Sequence, residues 1–160
     1  MLKGPVGYGR LINLVMNGIL CLCISIVMLA SIGVPCTPEA LIQSWFASFC
    51  IGYMLGDLVP IAQVPSRICQ AMGTHSGAAL YLMSALVLGL FFGTGILFGN
   101  AIIGCLPTMG WGGVIGFFVH YWTTVAVSAV VLVAVFLWLA QKIASAASGF
   151  DPAQAVSNDK

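Results

Sequence analysis

Asp57 is an acidic residue within the otherwise apolar run GYMLGDLVPI, residues 52–61. An acidic side chain inside a membrane helix is costly, and such acids often bind cations or carry protons. Helical spacing puts Asn13 and Asn17 on one face of their helix, and Tyr53 and Asp57 on one face of the next. These four residues form the predicted substrate-binding or ion-binding site, open to the cytoplasm.

A structural role for Asp57 is the alternative hypothesis. The carboxylate lies only about 6 Å from the end of its predicted helix, where an acid costs less than at the membrane centre. There it could pair with Arg10 or Arg67, or accept hydrogen bonds from the two asparagine amides. In that case the polar residues would only hold two helices together, and the sequence leaves both alternatives open.

Cys36 and Cys105 lie in the two predicted outer connections and are a candidate disulfide between the two halves of the chain. Their separation cannot be inferred from the sequence. His75 and His120 are predicted on opposite sides of the membrane, so we expect no metal or haem site that uses both. No Ser-His-Asp set, phosphate-binding loop or paired carboxylate site can be assembled. We therefore predict neither an enzyme nor a cofactor.

The composition indicates an integral membrane protein. Of 160 residues, 61% are hydrophobic and 6% are charged, whereas soluble domains carry about 25% charged residues. The net charge of +1 argues against nucleic-acid binding, because no basic patch is available to neutralise phosphates. The bilayer is therefore an expected partner.

Hydropathy predicts an all-α integral membrane fold with four transmembrane helices, arranged as two tandem hairpins over about 11–61 and 78–143. Each apolar run reaches the roughly 20 residues that cross about 30 Å of hydrocarbon. The predicted spans are Leu11–Ile32, Ala40–Ile61, Ala78–Gly99 and Ile115–Ala140. Residues 1–143 would form a single domain, and residues 144–160 a flexible cytoplasmic tail.

The basic residues predict the topology. All five fall on the same side of the predicted spans, and neither opposite connection contains Lys or Arg; they are Lys3, Arg10, Arg67, Lys142 and Lys160. Because cytoplasmic loops are enriched in Lys and Arg, both termini are predicted to be cytoplasmic. The connection over residues 100–120 is apolar and glycine-rich, and is predicted to be either a re-entrant segment or an outer extension of the fourth span.

The two halves of the chain can be aligned, with Trp45 matching Trp122, which suggests an internal repeat of two parallel copies. The first hairpin contains LVMNGILCLCISIVMLASIG, a short Pro-containing turn, the Trp-started SWFASFCIGYML, and the ending LVPIAQVPSRI. Over roughly residues 10–70 it resembles a bacterial membrane family named domain of unknown function 2798. The resemblance implies a small, multi-pass protein of the bacterial inner membrane, with no assigned chemistry and no active site.

Small residues recur every four positions and predict close helix packing, because such rows let helix backbones approach each other in lipid. The rows are Ser48, Gly52 and Gly56 in the second predicted span, and Gly89 with Gly93 in the third. The contacts could form within the bundle or between protomers. We therefore expect a homo-oligomer or an association with other membrane subunits.

Three functional hypotheses follow from the sequence. The first is a small transporter or channel for a small solute or cation, with Asp57 in its path. The second is a non-catalytic membrane subunit or scaffold of a larger complex. The third is a membrane redox component, which is disfavoured because the sequence lacks a set of side chains that could ligate a metal or a redox cofactor.

Overall fold

A computed structural model of the chain describes residues 3–58, 64–73 and 76–150. Within those ranges the secondary structure is entirely helical. The helices are α1 (Gly4–Ser31), α2 (Pro38–Leu58), α3 (Val64–Ala71) and α4 (Gly77–Ser148). Three predicted features lie outside the described residues: His75, the end of the second predicted span, and residues 151–160 of the tail.

The turn between α1 and α2 is built from residues suited to helix ends. The backbone N–H groups of Ile32 and Val34 donate to carbonyl groups of the last turn of α1, and Gly33 adopts a left-handed φ of 71° between them. Thr37 precedes α2, and its Oγ1 accepts a hydrogen bond from the Ala40 N–H at 3.3 Å. Pro38 takes the first helical position, where its missing N–H costs nothing.

Helix α4 is 72 residues long and changes direction at Gly110. Ser76 caps its start by accepting from the Ala79 N–H at 3.1 Å, and Gly149 ends it with a φ of 67°. Gly110 has φ 64° and ψ −166°, which are not helical values. Pro107 lies one turn earlier and lacks the N–H that a helix interior uses, so this region is where the helix breaks most easily.

The two arms of α4, residues 77–109 and 111–148, pack against each other and run in opposite directions. Gly89 of the first arm meets the backbone of Val130 in the second, and Gly93 meets Ala129. The Tyr81 hydroxyl donates to the Ala134 carbonyl. A straight helix rises 1.5 Å per residue and would hold these partners more than about 50 Å apart, so α4 must fold back on itself.

The prediction of four separate transmembrane helices in two tandem hairpins is wrong. Two helices of the described residues are long and apolar enough to cross a membrane, over Val6–Ser31 and Gly77–Ser148. Residues 100–109, predicted as a connection, continue the first arm of α4 because one proline does not end the helix there. Helix α2 is not one of these two helices, because Glu39, Gln43 and Asp57 lower its mean hydropathy.

The core lies where α1 and both arms of α4 meet. Its fully buried side chains include Ile24 of α1, Ile96 of the first arm, and Val125 and Val133 of the second. Large apolar side chains also cover the outside, such as Val135, which is 61% exposed. Apolar residues both inside and outside, together with the two long apolar helices, fit a membrane protein.

Candidate functional site

Four residues, Asn13, Asn17, Gly52 and Gly56, form a close contact between α1 and α2, which we call the Asn–Gly contact. The two helices are antiparallel, so Asn17 lies opposite Gly52, and Asn13, one turn nearer the start of α1, lies opposite Gly56. Asn17 is 1% exposed, although an amide is a polar group. This contact occupies the place where the sequence predicts a solute or ion site.

Glycine is required in α2 because the asparagine side chains fill the space that a Cβ would take. A Cβ on Gly52 would collide with the amide oxygen of Asn17, and would lie 3.2 Å from Ile96 Cδ1. A Cβ on Gly56 would lie 2.6 Å from Cγ of Asn13 and 2.7 Å from its Nδ2. The contacts with the two amides are shorter than atomic packing allows, so an alanine at either position would displace the asparagine amide that it faces.

The amide groups of the two asparagines are linked to each other and to α2. Asn17 Nδ2 donates to the backbone carbonyl of Asn13 at 2.9 Å and also to its side-chain oxygen. Asn13 Nδ2 donates across the helix pair to the Tyr53 carbonyl at 3.3 Å. Asn17 Oδ1 has no hydrogen-bond donor among the described residues and lies against Gly52. The Asn13 amide therefore bonds α1 to α2, whereas the hydrogen bonds of Asn17 lie within α1.

The same face of α2 extends this polar contact to α4. Ser48 is 1% exposed and its Oγ accepts from Asn100 Nδ2 at 2.9 Å, while Asn100 Nδ2 also donates to the Ile96 carbonyl. Gly99 of α4 lies beside Ile51 of α2. The row Ser48, Gly52 and Gly56 thus faces two helices rather than lipid. Sequence reasoning missed Asn100, whose position next to Gly99 in an apolar run was the available signal.

Asp57 is not joined to the asparagines. Its side chain is exposed at the end of α2, and no hydrogen bond or ion pair links it to another described residue. Tyr53 contributes its backbone carbonyl to Asn13, while its ring stacks on Phe49 with centroids 5.9 Å apart. The structure therefore brings together Asn13, Asn17 and the Tyr53 backbone, and leaves the acid outside the group.

Trp45 is a second residue whose role sequence reasoning missed. Its indole N–H donates to the Gly18 carbonyl of α1 at 3.0 Å, which adds a second hydrogen bond between α1 and α2. Trp122 has a related role in α4, where its indole N–H donates to Thr94 Oγ1 at 3.1 Å across the two arms. Each indole satisfies its single donor through a neighbouring helix segment.

Two glycines of α4 let its two arms approach each other closely. A Cβ on Gly89 would lie 2.5 Å from Val130 Cα and 2.8 Å from Val130 N. A Cβ on Gly93 would lie 2.8 Å from Cβ of Ala129. The two predicted packing residues therefore face the other arm of α4.

An apolar groove of about 260 Å³ lies on the outward side of the two arms, away from the polar residues. Its walls include Leu86, Leu90, Trp122 and Val130. Such a surface suits hydrocarbon, because it offers almost no polar atom to a solute.

Cys36 and Cys105 are both free thiols in the structure, so the candidate disulfide is not formed in it. Cys36 is exposed in the connection before α2, whereas Cys105 is half-buried within the first arm of α4. We expect the denatured protein to titrate with six thiols per chain both with and without reductant. The measurement is a thiol assay on protein purified without reductant. A Cys36→Ser variant should lose one thiol in both conditions, and a deficit of two thiols without reductant would show a bond.

Comparisons with known proteins add no relative. No family model matches the chain, so the resemblance to domain of unknown function 2798 stays a prediction. No curated protein matches it, and no solved structure matches it. Any proposal about function therefore depends on the geometry of the described residues alone.

Proposed function

We propose that the protein is a non-catalytic membrane scaffold, a helical subunit whose polar residues hold its own helices together. One observation carries this proposal: the side chains of Asn13 and Asn17 fill the space left by Gly56 and Gly52. Amides packed in this way are committed to helix contacts, and a solute would have to displace them. Two of the residues predicted to bind a ligand thus have a structural use.

The physics of helix association in lipid supports this proposal. Water does not drive helices together there, so close backbone approach and interhelical hydrogen bonds supply the attraction. The Asn–Gly contact combines both, and Ser48 with Asn100 adds a link to α4. A bundle fixed from inside leaves its outside for other subunits, or for further copies of the chain. A Cβ added at Gly112 or Gly116 would have no packing contact within 4 Å, so both positions are open to such a neighbour.

Transport of a cation or proton is the second candidate, and the exposed carboxylate of Asp57 is the observation that favours it. Asp57 directly follows Gly56, at the edge of the Asn–Gly contact, and is free of ion pairs with described residues. An exposed acid at this position could receive a cation from the aqueous side. The two candidates differ in what Asp57 does, so they can be separated by one substitution.

We expect purified protein in liposomes to pass protons, Na⁺ and K⁺ no faster than empty liposomes, and Asp57→Asn to leave that rate unchanged. The measurement is fluorescent detection of ion flux across a pH gradient and across a potassium gradient. Glu39→Gln is the matched control, because Glu39 is an exposed acid at the opposite end of the same helix. Flux above the empty-liposome rate that falls in Asp57→Asn, but not in Glu39→Gln, would overturn the scaffold proposal in favour of transport.

A further inference from the structure

The basic residues of the described chain collect at one end of the bundle. Lys3 precedes α1, Arg10 lies in the second turn of α1, Arg67 lies in α3 and Lys142 lies near the end of α4, and all four side chains are exposed. We call these four residues the basic end. Asp57 is the one acidic residue of the described ranges on this side, so the described residues at this end carry an excess of positive charge.

Contacts between helix ends bring the four residues to the same side of the molecule. The ring of Tyr8 in α1 meets the ring of Phe150, just beyond α4, with centroids 5.5 Å apart. Helix α3 packs against α4 and ends at Ala71, shortly before α4 begins at Gly77, so it lies near the start of α4. The Tyr81 hydroxyl bonds to the Ala134 carbonyl, so the start of α4 lies beside its own second arm. The start of α1, helix α3 and both ends of α4 therefore border one surface.

The opposite end of the bundle has a different charge. The turn between α1 and α2 and the bend of α4 contain no Lys or Arg, and Glu39 is their nearest charged neighbour. The charge of the described residues is thus polarised along the helices, with apolar side chains exposed between the two ends. A polarised bundle of this kind presents its cations to one leaflet of a bilayer.

Lys142 and Trp138 show how the basic end meets the bilayer. Lys142 Nζ lies 4.1 Å from the ring centroid of Trp138, and that ring is 55% exposed. Tryptophan prefers the depth of lipid headgroups, and a lysine beside it can reach a phosphate from an apolar surface. Cationic side chains next to an exposed indole, on apolar helices, match an anionic phospholipid better than a soluble anion, which gains nothing from the apolar part.

We propose that the basic end binds the headgroups of anionic phospholipids in the adjacent leaflet. Each Lys or Arg near a negatively charged membrane surface contributes about 1 kcal/mol, which corresponds to about a fivefold change in affinity. Three such residues acting together give a preference of about a hundredfold for an anionic over a zwitterionic lipid. The basic end binds these headgroups whether or not the bundle also moves a solute or supports a partner.

The test measures the midpoint of thermal unfolding of the full-length protein in mild detergent, with added dioleoyl phosphatidylglycerol or dioleoyl phosphatidylcholine. We expect phosphatidylglycerol to raise the unfolding midpoint at a concentration at least tenfold lower than the concentration of phosphatidylcholine that gives the same rise. The difference should shrink strongly between about 0.05 and 0.5 M salt, because screening weakens exposed charges. Inorganic phosphate at the same concentration should have no effect, which distinguishes a lipid from a free anion.

Variants at the basic end give the second arm of the experiment. A triple variant, Arg10→Gln, Arg67→Gln and Lys142→Gln, should lose most of the preference, whereas Arg10→Lys with Arg67→Lys, which keeps the charge, should retain it. An equal response of the wild type to both lipids, or a preference unaffected by salt, would overturn the proposal. Since those two results need only the wild type, the test stands even if the triple variant does not fold.

Discussion

Replacement of Gly89 by alanine is expected to destabilise the bundle by about 3 kcal/mol, because the added methyl group would collide with the backbone of the other arm of α4. The new Cβ would lie 2.5 Å from Val130 Cα and 2.8 Å from Val130 N. Those are backbone atoms, which cannot rotate away as a side chain does. The two arms of α4 must therefore separate along their contact, and the Tyr81–Ala134 hydrogen bond near the end of the arms is strained with them.

The measurement for Gly89→Ala is reversible unfolding of the purified protein in detergent, followed by far-UV circular dichroism. Gly104→Ala is the matched control, because Gly104 lies in the same arm and a Cβ added there would have no packing contact within 4 Å. Alanine is favoured over glycine in a helix by roughly 1 kcal/mol, so Gly104→Ala should stabilise slightly. Equal or greater stability of Gly89→Ala would contradict the packing of the two arms.

Gly93→Ala should have an intermediate effect. Its Cβ would meet Cβ of Ala129 at 2.8 Å, with the Val125 carbonyl oxygen at 3.5 Å. That contact is with one side-chain atom, whereas the Gly89 collision is with two atoms of the Val130 backbone. The order expected from the geometry is therefore Gly89, then Gly93, then Gly104.

Part of this arrangement could be predicted from the sequence. The spacing of Ser48, Gly52 and Gly56 puts them on one helix face, and the spacing of Asn13 and Asn17 does the same, because α-helical periodicity is local. Which residues of a neighbouring helix each face contacts is not determined by local periodicity. Nothing in the two rows states that Asn17 lies opposite Gly52, since that register depends on the length of the turn and on the packing of both helices.

The surroundings of Asp57 could not be predicted for a related reason. Gly56 faces Asn13, and the next residue along a helix is turned by about 100°, so Asp57 is exposed beside the asparagines rather than placed among them. The sequence predicts a connection over residues 100–120, but not the break at Gly110 itself, because the helix continues through Pro107 and changes direction only three residues later.

The Asn–Gly contact can be tested directly with a double-mutant cycle between Asn17 and Gly52. Gly52→Ala alone should cost about 1–3 kcal/mol, because the added Cβ would collide with the Asn17 amide oxygen. Asn17→Ala alone should cost about 1 kcal/mol, because it removes the hydrogen bonds from Asn17 Nδ2 to Asn13 within α1, and an intramolecular hydrogen bond contributes about 0.5–1.5 kcal/mol net. The double variant removes the collision together with the amide.

We expect the double variant to be more stable than the sum of the single effects by about 1 kcal/mol or more. The measurement is the free energy of unfolding of all four proteins under one detergent condition. Gly9→Ala combined with Asn17→Ala is the control pair. Gly9 is exposed on α1, and a Cβ added there would have no packing contact within 4 Å, so the effects of these two substitutions should add. Additive effects for Gly52 and Asn17 would mean that the two residues do not touch. The scaffold proposal would then lose the observation that carries it, whereas a clear coupling places the buried amide and the glycine in one contact whose function is to hold α1 against α2.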